Sequence, residues 1–513
     1  MSETLENPKP AEADSSGIHP FIKKTSDFSD RLSPMLVKEL RQGLKGISFM
    51  ILFIAIQVIL GILILGHSFS SSYNDAGKDI STSVFICIGL ATCVLQPLRA
   101  ISAIGSEVKE DTIDLMVITR LSAWRIVFGK WISLVSQSAL IIAAVAPYLI
   151  LRYFFGGMQL FAELMILFTI FLASAGFTAF FVGLSSLPSL ILRGIIGLGC
   201  AFFIGMGVVA LFASPYMYRD VVQLCSFEME GTIYAYLLLA LAMAYVAWLA
   251  LDYAAGTIAP ISENRSTPRR LICLGIAAVL FILFWLGPEF IQRAAPIFML
   301  LLSIPIGIIT LTEHPFTTAT VSVPFLKKNM LGKIASYFLY PGWASGLNFV
   351  MILFGLTILS SQFHNPTYAY SYYDSSYQQE MITACSICFS CLVFPLLLAR
   401  IFFKNTLQLF VFYLGGLVAS GVLWLLVVVI AEETRSRGIY ILFSWLPPVQ
   451  FNLFDRNVTE ALAHGIALPT FFIYWLGCLA TSGKFWKHIR NNDVQAEAII
   501  EDEKNLTAST ENN

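Results

Sequence analysis

The sequence predicts an all-α polytopic membrane protein of about 12 transmembrane helices, with N- and C-termini cytoplasmic and an interfacial elbow helix before the first span. Three observations carry that expectation. Of 513 residues, 57% are hydrophobic and 13% charged, about half the charge usual in a soluble domain; the mean hydropathy is +0.74. So long a chain cannot hide this excess in one core, because single cores stop growing near ~250–300 residues. Second, the apolar residues gather into uncharged runs of the length, about 20 residues, that a helix needs to cross a bilayer. Third, Lys and Arg fall unevenly between those runs. An ordinary soluble enzyme, a disordered chain and a disulfide-stapled scaffold are all excluded.

Residues 1–32 are polar and read as a disordered cytoplasmic tail, with no early apolar run to act as a cleavable signal. Ser33 followed by Pro34 supplies an N-cap and a proline at the first helical position. Leu36, Leu40 and Leu44 then share one helical face, with Lys38, Glu39, Arg41 and Lys45 elsewhere. Such a basic amphipathic helix lies in the interface plane and meets the first span at Gly46.

The expected spans are Ile47–Gly66, Ile80–Leu98, Trp131–Leu151, Leu164–Leu187, Gly194–Ala213, Thr232–Leu251, Leu271–Gly287, Ala294–Leu311, Gly342–Ser361, Met381–Ala399, Leu407–Ile430 and Gly465–Ser482. None contains Asp, Glu, Lys, Arg or His, as expected where a central charge costs ~2.5 kcal/mol or more. The seventh and eighth are short and flanked or interrupted by Pro288, Pro296 and Pro305. With a cytoplasmic N-terminus, only Lys78, Arg152, Arg219, Arg293, Arg435, Arg437 and Arg456 fall outside, which fixes the orientation. Glu163, His67, Asp252 and His464 stand at span edges and read as interfacially solvated groups. Residues 491–513 carry acidic residues against Lys504 with no apolar period and read as a disordered acidic tail.

The segment Arg99–Lys130 is the most organised of the connections. Glu107, Glu110, Asp111 and Asp114 surround Thr112 and lead into an apolar block, Ile113–Ile118, that is too short to span. An apolar block on a cytoplasmic face is covered by something, which makes this a docking surface. Ser122 offers an N-cap for the third span.

Catalytic and energising motifs are missing. No G-x-x-x-x-G-K-[ST] occurs, and Gly129–Lys130, Gly332–Lys333 and Gly483–Lys484 lack the upstream glycine. There is no G-x-S-x-G or H-E-x-x-H, so the chain is expected not to be an enzyme and to hold no cofactor of its own. Cys385, Cys388 and Cys391 share a helical face but read as small packing residues; no metal site is expected. The net charge of −1 suggests no nucleic-acid partner.

Two runs carry a family resemblance. SPMLVKELRQGLKG before the first span resembles the elbow of ABC-transporter permeases of the type-2 exporter class. SEVKEDTIDLMVITRLSAWRIVFGK resembles that family's first cytoplasmic loop: Glu107, Glu110, Thr112, Asp114, Leu115, Thr119, Leu121, Ser122, Gly129 and Lys130 fit its pattern, while Asp111 and Arg120 replace its usual glycine and proline. The resemblance covers roughly residues 33–260. It implies a six-span permease unit in a bacterial inner membrane. Glu107, Glu110, Asp111, Thr112, Asp114, Leu115 and Met116 would dock a separate ATPase subunit that binds the ATP. The elbow residues Pro34, Leu36, Lys38, Glu39, Leu40, Arg41 and Leu44 would pass motion to the first span.

Residues 261–490 are then a second six-span region. Leu331, Ile334, Ala335 and Phe338 form an apolar face resembling a second elbow, yet the loop after the tenth span, Arg400–Thr406, has no docking segment. A diverged repeat and a separate membrane extension both stay open. One docking segment against a two-grooved ATPase dimer implies a second copy of the chain or another permease beside it, within membrane lipid. Tyrosines 368–377 read as an aromatic belt, and residues 431–460, with Trp445 and Pro447–Pro448, as a re-entrant or surface-lying turn. Two other functions remain: a secondary transporter using Gln57, Gln137, Asn348 or backbone as an ion site, and a non-transporting scaffold or regulatory protein.

Overall fold

A computed structural model describes residues 34–70, 76–105, 122–153, 159–187, 189–227, 231–259, 263–287, 289–314, 319–327, 329–362, 371–402, 409–436, 438–454 and 460–511. Among them every regular element is a helix. Twelve helices are long and apolar enough to cross a membrane: Ile47–Gly66, Ile80–Ser102, Ala123–Ile150, Leu160–Ser185, Leu190–Ala213, Thr232–Ile258, Ser266–Leu286, Ile291–Thr312, Trp343–Ser360, Gln378–Phe402, Leu409–Thr434 and Leu462–Thr481. They are called spans one to twelve below. The N-terminal tail expected over 1–32 and the tyrosines up to Tyr370 lie outside the described residues.

The helices run past their apolar stretches at one or both ends, because continuing a helix satisfies backbone groups that a loop would leave bare. Several edge charges are therefore carried inside helices and into contacts between them. Glu163, expected in the solvated interface, is 3% exposed and accepts a hydrogen bond from the Ser81 hydroxyl at 3.4 Å. Asp252, expected likewise, is held by Arg269 at 2.6 Å and Arg265 at 3.4 Å. The pairing partners sit on other helices or far along the chain, which is why position in a span did not reveal them.

The prolines are accommodated locally. Span two contains a π-helical turn, Ala91–Leu95, in which the Gln96 N–H reaches back to the Ala91 carbonyl. Pro97 has no N–H to offer, and the Thr92 carbonyl instead accepts from the Ser174 hydroxyl on span four at 2.7 Å. Span eight carries Pro296 and Pro305 inside one continuous helix, Glu289–Thr312. In the turn before Pro305 the Leu302 carbonyl accepts from the Tyr245 hydroxyl on span six at 2.9 Å.

The core divides along span six. One face of it, with Ala247, Leu251, Ala254 and Ala255, packs with Val94, Ala123, Phe181 and Ala201 of the earlier spans. Its other face, with Leu238, Tyr245 and Leu249, belongs to the large cluster built by spans seven to twelve. The expected unit boundary near residue 260 therefore falls beside a helix that serves both sides.

Two short helices, Gly438–Leu442 and Pro447–Phe454, occupy the connection between spans eleven and twelve. Trp424 donates to Asn452 at 2.7 Å, which draws the second of them against span eleven.

The C-terminal expectation is corrected. Residues Gly483–Glu511 form one helix in place of a disordered tail beginning at 491. Phe485, Ile489 and Ala496 are buried along it together with Asn492, a narrow stripe at helical spacing. Asn492 donates to the Tyr340 hydroxyl at 3.1 Å, and Lys327 pairs with Glu503 at 2.8 Å. The stripe is too sparse to register as a period, and its partners lie about 150 residues away.

Candidate functional site

Over the residues expected to form the elbow, Pro34 opens a helix that ends at Lys45. It does not stand alone at the surface but lies against span three. The Ser133 hydroxyl donates to the Glu39 carbonyl at 2.9 Å, and Lys130 pairs with the Glu39 carboxylate at 3.5 Å. Both side chains of that pair are nearly buried, 10% and 12% exposed. One turn on, Gly43 faces Ser133 and Gln137 so closely that a Cβ there would lie 2.9 Å from the Ser133 oxygen. Glycine sets this close approach of helix to helix.

Arg99 stands where the elbow, span two and span three meet. Its guanidinium donates to Gln96 Oε1 at 2.7 Å and Gln137 Oε1 at 2.6 Å. Gln96 Nε2 donates to the same Gln137 oxygen at 2.9 Å. Arg99 also lies 5.6 Å over the Phe49 ring of span one, close enough for a cation–π contact. The π-turn ending at Leu95 places Gln96 at the head of this cluster. Sequence reasoning missed Gln96, Arg99 and Gln137 as a unit; the available signal was a polar Gln-Pro-x-Arg step closing an otherwise apolar run.

The segment between spans two and three leaves and re-enters the described structure at Gly105 and Ser122. On the departing side, the Ile104 N–H donates to Ser185 Oγ at 3.3 Å, and Arg193, which donates to the Ser185 carbonyl at 3.0 Å, lies against Gly105. On the returning side Ser122 is the N-cap residue of span three, through its backbone carbonyl and without a side-chain bond. Glu107, Glu110, Asp111, Thr112, Asp114, Leu115 and Met116 lie outside the described residues.

Of the groups named for an ion site, two are held by separate partners, while the Gln57 amide nitrogen on span one is buried without a hydrogen-bond partner among the described residues. Gln137 is committed to Gln96 and to the cation Arg99, whereas Asn348 on span nine donates to the Tyr337 carbonyl at 3.2 Å. Among the described residues no group of three or more His, Cys, Asp or Glu comes together as metal ligands.

A second polar cluster joins the halves at the same end of the bundle. Arg270, fully buried, donates to Glu313 at 2.7 Å and to the carbonyls of Phe338, Tyr340 and Gly342 at 2.7, 2.9 and 3.1 Å. Arg269 bridges Asp252 of span six to Glu313 beyond span eight, at 2.6 and 3.4 Å.

No protein-family model, no curated protein and no solved structure matches the chain. What stands independently of any relative is the class: a multi-pass membrane protein whose described residues are helical, with twelve helices among them long and apolar enough to cross.

Proposed function

We propose that the chain is the membrane-spanning permease subunit of an ATP-driven exporter, set in a bacterial cytoplasmic membrane with both termini inside. A separate ATPase would dock on the segment between spans two and three. The observation that carries this reading is mechanical: the returning root of that segment is tied to the elbow helix, and the departing root to spans one and three. Arg99 at the departing root reaches span three and the Phe49 ring; Lys130 and Ser133 at the returning root hold Glu39. A displacement of the segment is therefore delivered to spans one, two and three together. In the same reading Leu115 and Met116 bury their side chains in the ATPase groove, and Glu107, Glu110, Asp111 and Asp114 set its polarity, with Thr112 among them.

The test is co-purification of the tagged full-length chain from its native membrane, followed by ATP hydrolysis in lipid nanodiscs. An ATPase subunit should come with the chain, and Glu110→Lys combined with Leu115→Asp should release it. Glu39→Ala should retain the ATPase but weaken the dependence of hydrolysis on the membrane subunit. A chain that purifies without any ATP-hydrolysing partner sinks the proposal, and so does a double variant that still binds and couples.

A further inference from the structure

A cavity of about 370 Å³ opens between spans two, four, five and six and the Pro215–Cys225 helix. Four small residues from four different spans leave the room: Gly89, Ala173, Gly207 and Ala235. Its volume lies within the range of small-molecule sites and far above the voids that packed interiors retain. None of the described side chains lining it is charged. The polar ones already have protein partners. The Tyr236 hydroxyl lies 2.8 Å from the Cys225 thiol and accepts from Thr169 at 3.3 Å, and the Cys93 thiol donates to the Ile170 carbonyl. A wall of this kind has no group reserved for a head group and does not hold ordered water, which needs two to four polar partners.

The mouth identifies the side from which it fills. Gly207 and Leu211 line the cavity and are also exposed on span five, whose outer face presents Leu198, Phe202 and Phe203. An apolar span with such a face is surrounded by lipid tails. A Cβ built on Gly207 meets no atom within 4 Å, so the opening beside it is free.

We infer that this cavity is a binding site for a single hydrocarbon chain that enters sideways from the bilayer past Gly207 and Leu211. The inference does not depend on the chain being a permease. Ile166, Ile170 and Phe212 form its inner wall and are all buried. Bulk lipid does not reach them, whereas a chain inside the cavity does.

The experiment uses the full-length protein in nanodiscs of phosphatidylethanolamine and phosphatidylglycerol. One arm carries a trace of phosphatidylethanolamine with a terminal diazirine on its palmitoyl chain; the other carries free diazirine-palmitic acid. After irradiation, adducts are mapped by mass spectrometry. Adducts on Ile166, Ile170 or Phe212 are expected, and the arm that produces them identifies a phospholipid tail or a detachable fatty acid as the source. Gly207→Phe should reduce those adducts by roughly tenfold or more, the scale of a modest affinity loss. Gly199→Phe, on the same span, also at a glycine with no atom within 4 Å of its Cβ but outside the lining, should leave them unchanged. Adducts confined to Leu198, Phe202 and Phe203 overturn the inference. So does inner-wall labelling that ignores Gly207→Phe in a variant that still purifies as a folded protein.

Discussion

Replacing Glu313 by alanine isolates the energetics of the buried arginine cluster. Arg270 has no exposed surface, and Glu313 is the carboxylate that pairs with it, at 2.7 Å. Removing the carboxylate leaves a guanidinium in a dry site with only carbonyls and the Ser345 hydroxyl as acceptors. Breaking a buried pair from one side costs about 3–5 kcal/mol. Arg269 loses its Glu313 contact too, but keeps Asp252 at 2.6 Å, so little is added there. The contrast is Lys327→Ala, which breaks a pair whose side chains are 50% and 58% exposed; such pairs are worth ~0–1 kcal/mol.

The double replacement Arg270→Met with Glu313→Leu separates charge from carbonyl capping. Without the charges, the Gly342 carbonyl keeps the Gly346 N–H as donor at 2.9 Å, which leaves the Ser345 hydroxyl to the Tyr340 carbonyl. The Phe338 carbonyl loses its arginine bond, a cost of about 1–3 kcal/mol. The expected order of destabilisation is Glu313→Ala, then the double variant, then Lys327→Ala. Pulsed alkylation of Cys273 during heating reads it out, since that thiol is fully buried and lies three residues beyond Arg270. If the double variant unfolds no later than Glu313→Ala, the charge imbalance is not what the site resists. If Glu313→Ala matches Lys327→Ala, the pair is not energetically buried at all.

Three further outcomes follow from particular contacts. Gly346→Ala would set a Cβ 2.7 Å from the Thr310 carbonyl carbon of span eight, whereas Gly355→Ala on the same helix meets nothing within 4 Å. The first should lower the unfolding midpoint sharply. The second should raise it slightly, by up to ~1 kcal/mol; equal midpoints would show that spans eight and nine are not in close contact. Burial holds the Asp493 carboxyl above its usual range, with Glu497 adding to the rise and Ser322 and Lys333 opposing it. A raised carboxylate keeps its proton longer folded than unfolded, so docking of the Gly483–Glu511 helix should tighten as pH falls through the ordinary carboxylate range and weaken as pH rises above it. The protection of that helix, measured as exchange corrected for its intrinsic pH dependence, should therefore rise at lower pH, and Asp493→Asn should remove the rise. Gly43→Leu should push the elbow off Ser133 and Gln137 and, in the proposed permease, uncouple ATP hydrolysis while leaving ATPase binding intact; co-purification lost along with coupling would contradict the proposed role.

What could be read along the chain was whatever is encoded by neighbours. Span one is a run of consecutive apolar residues, and the elbow is a Pro34 start with leucines every fourth position, so both are local. Arg269, Arg270 and Glu313 are not. Their meaning comes from partners about 17 to 72 positions apart, and alone they look like ordinary basic flank and loop acid. The Gly483–Glu511 helix fails for the same reason, since three apolar residues and one asparagine become a stripe only when Tyr340 supplies the opposite surface. The cavity is least legible of all, because it arises from four small residues on four spans that are unremarked individually.

In the proposed permease, span six offers a way for the docking segment to act on all twelve spans. Its inner face shares a core with spans two, three, four and five through Ala247, Leu251, Ala254 and Ala255, and its other face is built into the second half. Asp252 fixes it to Arg265 and Arg269, so its inner end moves with spans seven and eight as well. Away from that end it packs closely on Gly176 and Gly183 of span four and bonds the Leu302 carbonyl of span eight through Tyr245, yet two cavities flank it. The cavity of about 370 Å³ lies on one flank, another of about 250 Å³ lies between it and spans seven and eight, and Met243 lines both. A helix pinned at one end with space on two flanks has room to tilt about that end. Motion received from spans two and three would then swing span six about Asp252, closing one cavity as the other opens. Filling either flank should resist that swing, so Gly207→Phe is expected to slow turnover by the proposed ATP-driven assembly as well as to exclude a hydrocarbon chain. A variant that excludes the chain yet leaves turnover untouched would separate the cavity from the motion and refute the tilt.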